Sequence, residues 1–327
     1  MIAARSLVSS AAHRRGLVVR IADLRVAILR VATVCAVIGA SFGASSLANA
    51  ACPPAGHDAA SLAALKHREF VVEDASAREA LAFSLIDCLA SSDPQLRDGI
   101  AFSSLQTWMR AGAFSPDVLR EIRTRLEAML TVEQSDADGV ARPFAALTLA
   151  EVARTDRIAP WMRADERAAM AHRAASYLTS VSDYRGYETG VGWRHGVAHG
   201  ADWAMQLAMN PALDAQHLRE LARGIAPQVA PVSGHAYVFG EPERLARATM
   251  AIARRDVLEE AEWTAWFAAA VPLRDNDDKA WSDPVWLARR HDASAFLHAL
   301  YLQADREDTP GVVKLKAALI EALRELP

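Results

Sequence analysis

The chain of 327 residues has little of what marks several large classes of protein. It has only three cysteines, so it is not a small scaffold held together by disulfides. Alternating runs of Val, Ile and Thr are nearly missing, which argues against a β-sandwich or barrel. Beyond residue 50 no apolar run reaches the roughly 20 residues of a membrane-spanning helix. A long basic run is also missing, which makes the chain a poor candidate for binding nucleic acid.

The first fifty residues have the order of a secretory signal. Scattered arginines are followed by a short uncharged apolar run from Val31 to about Ala44, and the segment ends in Ala48-Asn49-Ala50. Small residues at this spacing are typical of a signal peptidase site. We therefore predict a signal peptide over residues 1–50, cleavage after Ala50, and export to the periplasm or the medium.

Other interpretations fit parts of the same segment. Cys52 is a candidate for lipidation, although Asn49 stands where a lipidation signal has Leu or Val. Arg14-Arg15 would suit a twin-arginine signal. The long charged stretch before the apolar run also suggests that translation starts downstream of Met1.

The remainder, residues 51–327, is predicted to be a single helical domain that is soluble and acidic. The signal takes with it six of the 36 basic residues and one of the 40 acidic residues, so 30 and 39 remain and the net charge is near −9. A capping residue precedes proline in Asp93-Pro94, Ser115-Pro116 and Thr309-Pro310, a pattern typical of helix starts. Together with abundant Ala and Leu, it predicts an all-α fold. The predicted helices cover residues 59–68, 75–91, 94–111, 116–131, 141–155, 164–180, 192–209, 214–229, 241–254, 259–270, 284–303 and 310–325.

Helices of this length with short connections favour antiparallel hairpins in a HEAT-like or irregular α-α array. The alternative is an irregular helical globule, because no fixed sequence period is visible. The best strand candidate runs from His235 to Phe239. The loop over residues 274–283 contains Asp275, Asp277 and Asp278 but lacks the glycine and the glutamate of an EF-hand, so we interpret it as a solvated turn.

Two cysteines, Cys52 and Cys88, remain after the signal is removed, and they could form a disulfide. Cys88 is also in register with Leu81, Leu85 and Leu89 on one face of a predicted helix, where a free thiol would pack as a small apolar group. Both alternatives are compatible with the sequence.

The segment 183–203 is the densest in glycine, aromatic and ionisable residues. If its helix begins near Gly192, His195, His199 and Asp202 lie at i, i+4 and i+7 on one face, with Gln206 one turn further. Such a stripe could form a polar network between helices, line a ligand site without metal, or bind a divalent metal such as zinc. The candidate ligand or polar-network residues are Asp183, Tyr184, Arg185, Tyr187, Glu188, Trp193, His195, His199 and Asp202; the candidate metal ligands are His195, His199 and Asp202.

Sharper motifs do not fit. Gly196 replaces the glutamate of a zinc-protease helix, and His195 occupies the third glycine position of a dinucleotide loop. Glu241, Glu243 and Arg244 are interpreted as ordinary capping of a helix start. His291 and His298, seven residues apart on another helix, are interpreted as core or groove lining.

The chain resembles a family of uncharacterised bacterial all-helical proteins, domain-of-unknown-function family 2785, over about residues 70–303. The resemblance rests on Asp183-Tyr184-Arg185-Gly186-Tyr187, on Gly192-Trp193, and on the run His195-Gly196-Val197-Ala198-His199-Gly200-Ala201-Asp202. Weaker similarities are Phe144-Ala145-Ala146-Leu147, Glu243-Arg244-Leu245-Ala246 and Phe296-Leu297-His298-Ala299-Leu300-Tyr301. It implies an all-α fold and no particular activity. Asp292 and His298 stand where the family has Asn and Arg.

We therefore expect an exported binding or scaffold module whose groove includes Tyr184, Tyr187, Trp193 and the histidine stripe. Aromatic residues beside ionisable ones suit a peptide, a glycan or a small molecule. The alternative is a hydrolase that uses His195, His199 and Asp202, with or without a divalent metal and with Glu188 nearby.

Overall fold

The computed structural model describes residues 52–131, 138–273 and 280–327. The predicted signal peptide and the aspartates of the acidic loop, Asp275, Asp277 and Asp278, lie outside the described residues. All described residues fall within one unit of the chain by their contacts. In this part of the chain, none of the helices combines the length and apolarity required to cross a membrane.

The described residues are mainly helical, as predicted. The α-helices are α1 (Ala59–His67), α2 (Ala75–Asp87), α3 (Pro94–Leu96), α4 (Ser103–Arg110), α5 (Pro116–Met129), α6 (Ala141–Ile158), α7 (Ala164–Ser180), α8 (Gly196–Ala208), α9 (Ala215–Ile225), α10 (Glu241–Ala253), α11 (Glu260–Ala270), α12 (Pro284–Ala304) and α13 (Pro310–Arg324). A short hairpin pairs β1 (Tyr187–Glu188) antiparallel with β2 (Gly192–Trp193).

The three predicted capping pairs do start helices. Asp93 accepts a hydrogen bond from the backbone of Gln95, and Ser115 accepts one from the backbone of Val118, so both act as N-caps. Thr309 precedes α13 but makes no such bond, and there the proline alone marks the first turn. Local sequence therefore determines these helix starts.

The helices pack in two rows. In one row α6 contacts α8, α8 contacts α10, and α10 contacts α12; in the other, α7 contacts α9 and α11 contacts α13. Gly224 permits the close approach of α9 to α7, because a Cβ atom there would lie 2.8 Å from the backbone of Ala175. The structure thus shows a mainly helical fold, and the HEAT-like or irregular α-α array stays a prediction.

Three predicted elements differ from the structure. The predicted helix 94–111 contains a π-helical stretch at Arg97–Phe102. The predicted helix 192–209 begins only at Gly196, because His195 has the left-handed backbone conformation (φ +57°), which ends helical geometry on its N-terminal side. Residues 235–239 form no strand; the hairpin lies earlier, at β1 and β2.

Cys52 and Cys88 form a disulfide, with their Cα atoms 5.2 Å apart. Cys88 is fully buried at the end of α2. The alternative of a free thiol at this position is therefore wrong. The bond ties the segment before α1 to the C-terminal end of α2.

Candidate functional site

The hairpin β1–β2 leads directly into α8, and glycines allow its tight path. Gly190 and Gly192 both have positive φ angles (+90° and +82°), which glycine adopts without the steric cost of a side chain. The hairpin is fixed at its base, since the backbone N–H of Arg194 donates to the carbonyl of Gly186 at 2.8 Å. Trp193 and His195 are thereby held at the start of α8.

Fully buried Arg97 packs against the hairpin β1–β2. Its guanidinium donates to the carbonyl of Val191 at 2.7 Å and lies 4.8 Å from the centre of the Phe144 ring. A Cβ atom at Gly192 would come within 2.9 Å of the same guanidinium. The absence of a side chain at Gly192 thus lets the hairpin rest on Arg97.

His195 joins two helices. It is the N-cap residue of α8 and only 7% exposed, and its Nε2 atom lies 3.2 Å from Oε1 of Glu241, the first residue of α10. Its ring stacks on the Trp193 indole with centroids 4.7 Å apart. One imidazole therefore contacts a buried carboxylate and a partly exposed indole.

Glu241 is 2% exposed, and its other carboxylate oxygen accepts from the backbone N–H of Phe239 at 3.1 Å. Burial raises the pKa of Glu241, but its contact with His195 and hydrogen bonds from backbone N–H groups outweigh this effect and lower the pKa below its usual value. Glu241 is therefore an ionised carboxylate.

His199 faces α6 instead. Its Nδ1 atom donates to the carbonyl of Pro143 at 3.2 Å, and its ring meets the Phe144 ring edge-on. Burial, and then the nearby charges of His195 and Arg244, lower the pKa of His199 to about 3. It is therefore a neutral imidazole with Nδ1 protonated.

Asp202 has a third partner, since its carboxylate forms an ion pair with Arg244 of α10. Burial raises the pKa of Asp202, and the charge of Arg244 partly offsets that effect. Gln206, one turn further, accepts from Arg157. The His195 and His199 rings meet edge-on with centroids 5.7 Å apart, but the polar atoms of His195, His199 and Asp202 contact three different groups.

The proposed metal ligands are not brought together as a metal-binding group. Across residues 52–131, 138–273 and 280–327, no three His, Cys, Asp or Glu side chains are placed to hold a metal ion. His199 is committed to Pro143, and Asp202 to Arg244. The geometry favours contacts between helices for this stripe.

The charged residues of the loop mostly pair with one another. The Asp183 carboxylate accepts from Nε of Arg185 at 2.8 Å, and Glu188 accepts from the buried Arg194 at 2.5 Å. The Arg194–Glu188 pair joins the two sides of the hairpin, whereas the Asp183–Arg185 pair lies within the segment before it. They lie beside the His195–Glu241 contact and are not part of it.

Three exposed aromatic side chains meet above the His195–Glu241 contact. The Tyr187 and Phe239 rings lie 5.2 and 5.8 Å from the Trp193 ring, both nearly edge-on. Tyr187 is 48% exposed, Trp193 38% and Phe239 39%. We call Tyr187, Trp193 and Phe239 the aromatic platform.

A second aromatic group lies beside the platform. The rings of Tyr184, His235 and Tyr237 are mutually 6.0 to 6.1 Å apart, and we call them the ring triangle. Buried Asp292 of α12 accepts from the backbone N–H of Tyr237 at 2.8 Å. His291 contacts the Tyr237 carbonyl, whereas His298 contacts Ser294 of its own helix.

The sequence predicts site residues Tyr184, Tyr187, Trp193 and His195, but no pattern in it connects them with the segment 235–241. From sequence alone, Glu241 is a capping residue and Phe239 the end of a strand candidate. The one local signal was the aromatic turn Tyr237-Val238-Phe239-Gly240 directly before a helix that begins with an acid. No spacing rule links that turn to Trp193.

Comparison with known proteins adds one match. The family model described as "Protein of unknown function (DUF2785)" matches residues 129–302, a range that includes α6 to α11, the hairpin, the aromatic platform and the ring triangle. No curated protein and no solved structure matches the chain. With more than half of its length matched, the chain belongs to the DUF2785 family of proteins of unknown function.

Proposed function

We propose that this protein is an exported binding module whose ligand contacts the aromatic platform. The observation that carries the proposal is the meeting of Tyr187 and Trp193, cross-strand partners in the hairpin, with Phe239 of the loop before α10 on one partly exposed surface. Exposed apolar side chains scattered singly need no explanation, whereas a contiguous patch commonly marks an interaction site. A peptide, a glycan or a small molecule with an apolar face would suit such a surface.

The support under the platform favours binding over an incidental patch. Trp193 stacks on His195, which is held in turn by Glu241, and both of these polar side chains are buried. Binding surfaces require side chains that are locked in position by a second layer of contacts. Gly186 contributes too, since a Cβ atom there would come within 2.2 Å of the Phe239 ring.

Export is part of the proposal and has two supports. Residues 1–50 have the composition and order of a secretory signal. The Cys52–Cys88 disulfide is of a kind that persists in oxidising compartments. N-terminal sequencing of the protein from the periplasmic fraction should give a chain that begins at Ala51; recovery of the full chain from the cytoplasm would contradict export.

The hydrolase alternative has less support. Asp202 faces Arg244 and is thus engaged away from His199, while His199 is held by Pro143. A general base and the group that orients it require mutual contact. His195 does contact a carboxylate, that of Glu241, but both side chains are buried and the Trp193 indole stacks on the imidazole.

The test is a binding screen of the full chain on immobilised oligosaccharides and peptides, with Trp193→Ala and Trp281→Ala compared. Trp281 is a matched control, because it is also partly exposed and meets another aromatic ring, that of Trp286, edge-on. We expect retention on at least one probe that falls at least tenfold in Trp193→Ala and stays unchanged in Trp281→Ala. The proposal is wrong if the wild type binds none of the probes, or if Trp193→Ala and Trp281→Ala lose retention equally.

A further inference from the structure

The ring triangle holds buried polar atoms without partners. Among the described residues, Nε2 of His235, Oη of Tyr237 and Oδ2 of Asp292 have no hydrogen-bond partner. Asp292 is fully buried and Tyr237 is 2% exposed. Buried polar atoms in folded proteins are nearly always paired, so three unpaired ones around one group of rings require an explanation.

The three atoms share one chemical property, since each can accept a hydrogen bond. A carboxylate oxygen accepts only, a phenol oxygen has lone pairs, and neutral imidazole has one acceptor nitrogen. A protonated primary amine carries three N–H donors and no acceptor, which complements this set. A quaternary ammonium has no N–H donor and would leave Oδ2 of Asp292 unpaired.

The charge around the ring triangle also favours a cation. In the described part of the chain the groups that act on Asp292 include no Lys or Arg, and the nearby arginines are engaged elsewhere: Arg289 with the Ala230 carbonyl and Arg290 with the Pro327 carbonyl. Burial, followed by interactions with Tyr184, Asp292 and Glu241, raises the pKa of the Tyr237 phenol. Asp292 and Glu241 are the carboxylates among these neighbours.

Aromatic faces strengthen the preference for an amine. A cation within about 6 Å of a ring face is attracted by the ring quadrupole, and the attraction is larger where water is excluded. Tyr184 and His235 are half-buried, whereas Tyr237 and Asp292 are buried, so the first two are the members of the group that meet solvent. The aromatic platform adjoins it, because Tyr237 and Phe239 are two residues apart in one loop.

We propose that the ring triangle and Asp292 form a subsite for a protonated primary amine of the ligand. Asp292 accepts one N–H through Oδ2, Tyr237 accepts another, and the rings of Tyr184 and His235 border the ammonium group. The inference deepens the proposed function, on which it rests: the ligand presents an amine to this subsite and an apolar face to the aromatic platform.

The test titrates the full chain with n-pentylamine and with 1-pentanol, which share a chain and differ in the head group. The readout is the set of side-chain NMR signals of Tyr184 and His235. We expect saturable shifts with the amine and none with the alcohol. Asp292→Asn should weaken the amine at least tenfold, and Tyr237→Phe, which removes only the unpaired hydroxyl, should weaken it several-fold.

Glu243→Gln is the control for the loss of one negative charge, because Glu243 is exposed on α10. It should leave the titration unchanged. The inference is wrong if the amine does not bind, if the alcohol binds equally, or if Asp292→Asn and Tyr237→Phe both retain full affinity. If the unpaired atoms hold only water, pentylamine will not bind.

The two experiments distinguish an error in the role of the aromatic platform from an error in the amine subsite. If pentylamine binds as expected while no oligosaccharide or peptide depends on Trp193, the amine subsite stands and the role of the platform is wrong. If a probe depends on Trp193 while pentylamine does not bind, the proposed function stands without the subsite.

Discussion

His195 and Glu241 meet at the first turns of two neighbouring helices, with Nε2 and Oε1 3.2 Å apart and both side chains buried. The contact joins the start of α8 to the start of α10. It also lies directly under Trp193, which stacks on the His195 ring. The position of this pair therefore determines the position of Trp193 in the aromatic platform.

Glu241→Ala should destabilise the fold by about 3 kcal/mol, since it leaves the His195 side chain and the Phe239 N–H without their buried partner. Glu241→Gln retains an acceptor oxygen and should cost about 1 kcal/mol. Urea unfolding measures both. Glu243→Ala, an exposed acid in the same turn, should remain within about 0.5 kcal/mol of the wild type; an equal effect in Glu243→Ala and Glu241→Ala would contradict the structural role.

His199 should make the protein sensitive to acid. Its pKa is lowered to about 3 in the folded state, mainly by burial, against an ordinary value of 6.5. The unfolded chain therefore binds the extra proton first, and the stability that is present above pH 6.5 is lost as the pH falls. At pH 5 this loss is about 2 kcal/mol.

His199→Gln tests this effect, because the amide retains an N–H donor for the Pro143 carbonyl and does not titrate. The free energy of unfolding should fall less between pH 7 and pH 5 in this variant than in the wild type, by about 2 kcal/mol. His172→Gln, at an exposed histidine, is the control. Identical pH profiles for wild type and His199→Gln would show that this prediction is wrong.

Much of the fold could be predicted because its determinants are local. Ser115 and Pro116, followed by an apolar stripe, specify the start of α5 within a few residues. The start of α8 could not be predicted in this way. The left-handed conformation of His195 accompanies a hairpin that rests on Arg97, almost a hundred positions earlier in the chain.

In the candidate site, too, local features could be predicted and tertiary contacts could not. Helical spacing correctly placed His199 and Asp202 along one helix, because i, i+3 and i+4 geometry is local. Their partners, Pro143 and Arg244, belong to the two helices on either side of α8, and these are chosen by tertiary packing. Glu241 and Phe239 entered the site for the same reason, so sequence patterns alone did not reveal them.

Asp292 should give a pH dependence opposite to that of His199. Burial raises its pKa to about 6, and its surroundings include Tyr237, His291 and Glu241. The folded state therefore binds a proton more tightly than the unfolded chain, and the stability contributed by this proton is lost as the pH rises through 6. Between pH 5 and pH 8 the loss is about 1 kcal/mol.

Asp292→Asn retains an oxygen for the Tyr237 N–H and removes the titration. Its free energy of unfolding, relative to wild type, should improve by about 1 kcal/mol from pH 5 to pH 8. Asp308→Asn, at an exposed carboxylate, serves as the comparison and should show no such trend. A constant difference between Asp292→Asn and wild type across this range would contradict the prediction.

The Cys52–Cys88 disulfide closes a loop with a sequence separation of 36, and chain entropy predicts that it stabilises the fold by about 4 kcal/mol. Cys52→Ala is the better variant to test this, because Cys52 is only half-buried, whereas a change at fully buried Cys88 would also alter packing. Urea unfolding of wild type should shift to lower denaturant when a reductant is added, and Cys52→Ala should start from the lower value and not respond. Thiol labelling should show that the reductant has broken the bond completely. If the urea transition of the reduced wild type is nevertheless unchanged, the disulfide adds nothing to stability. The packing around Cys88 would then hold the ends of the loop together without the bond.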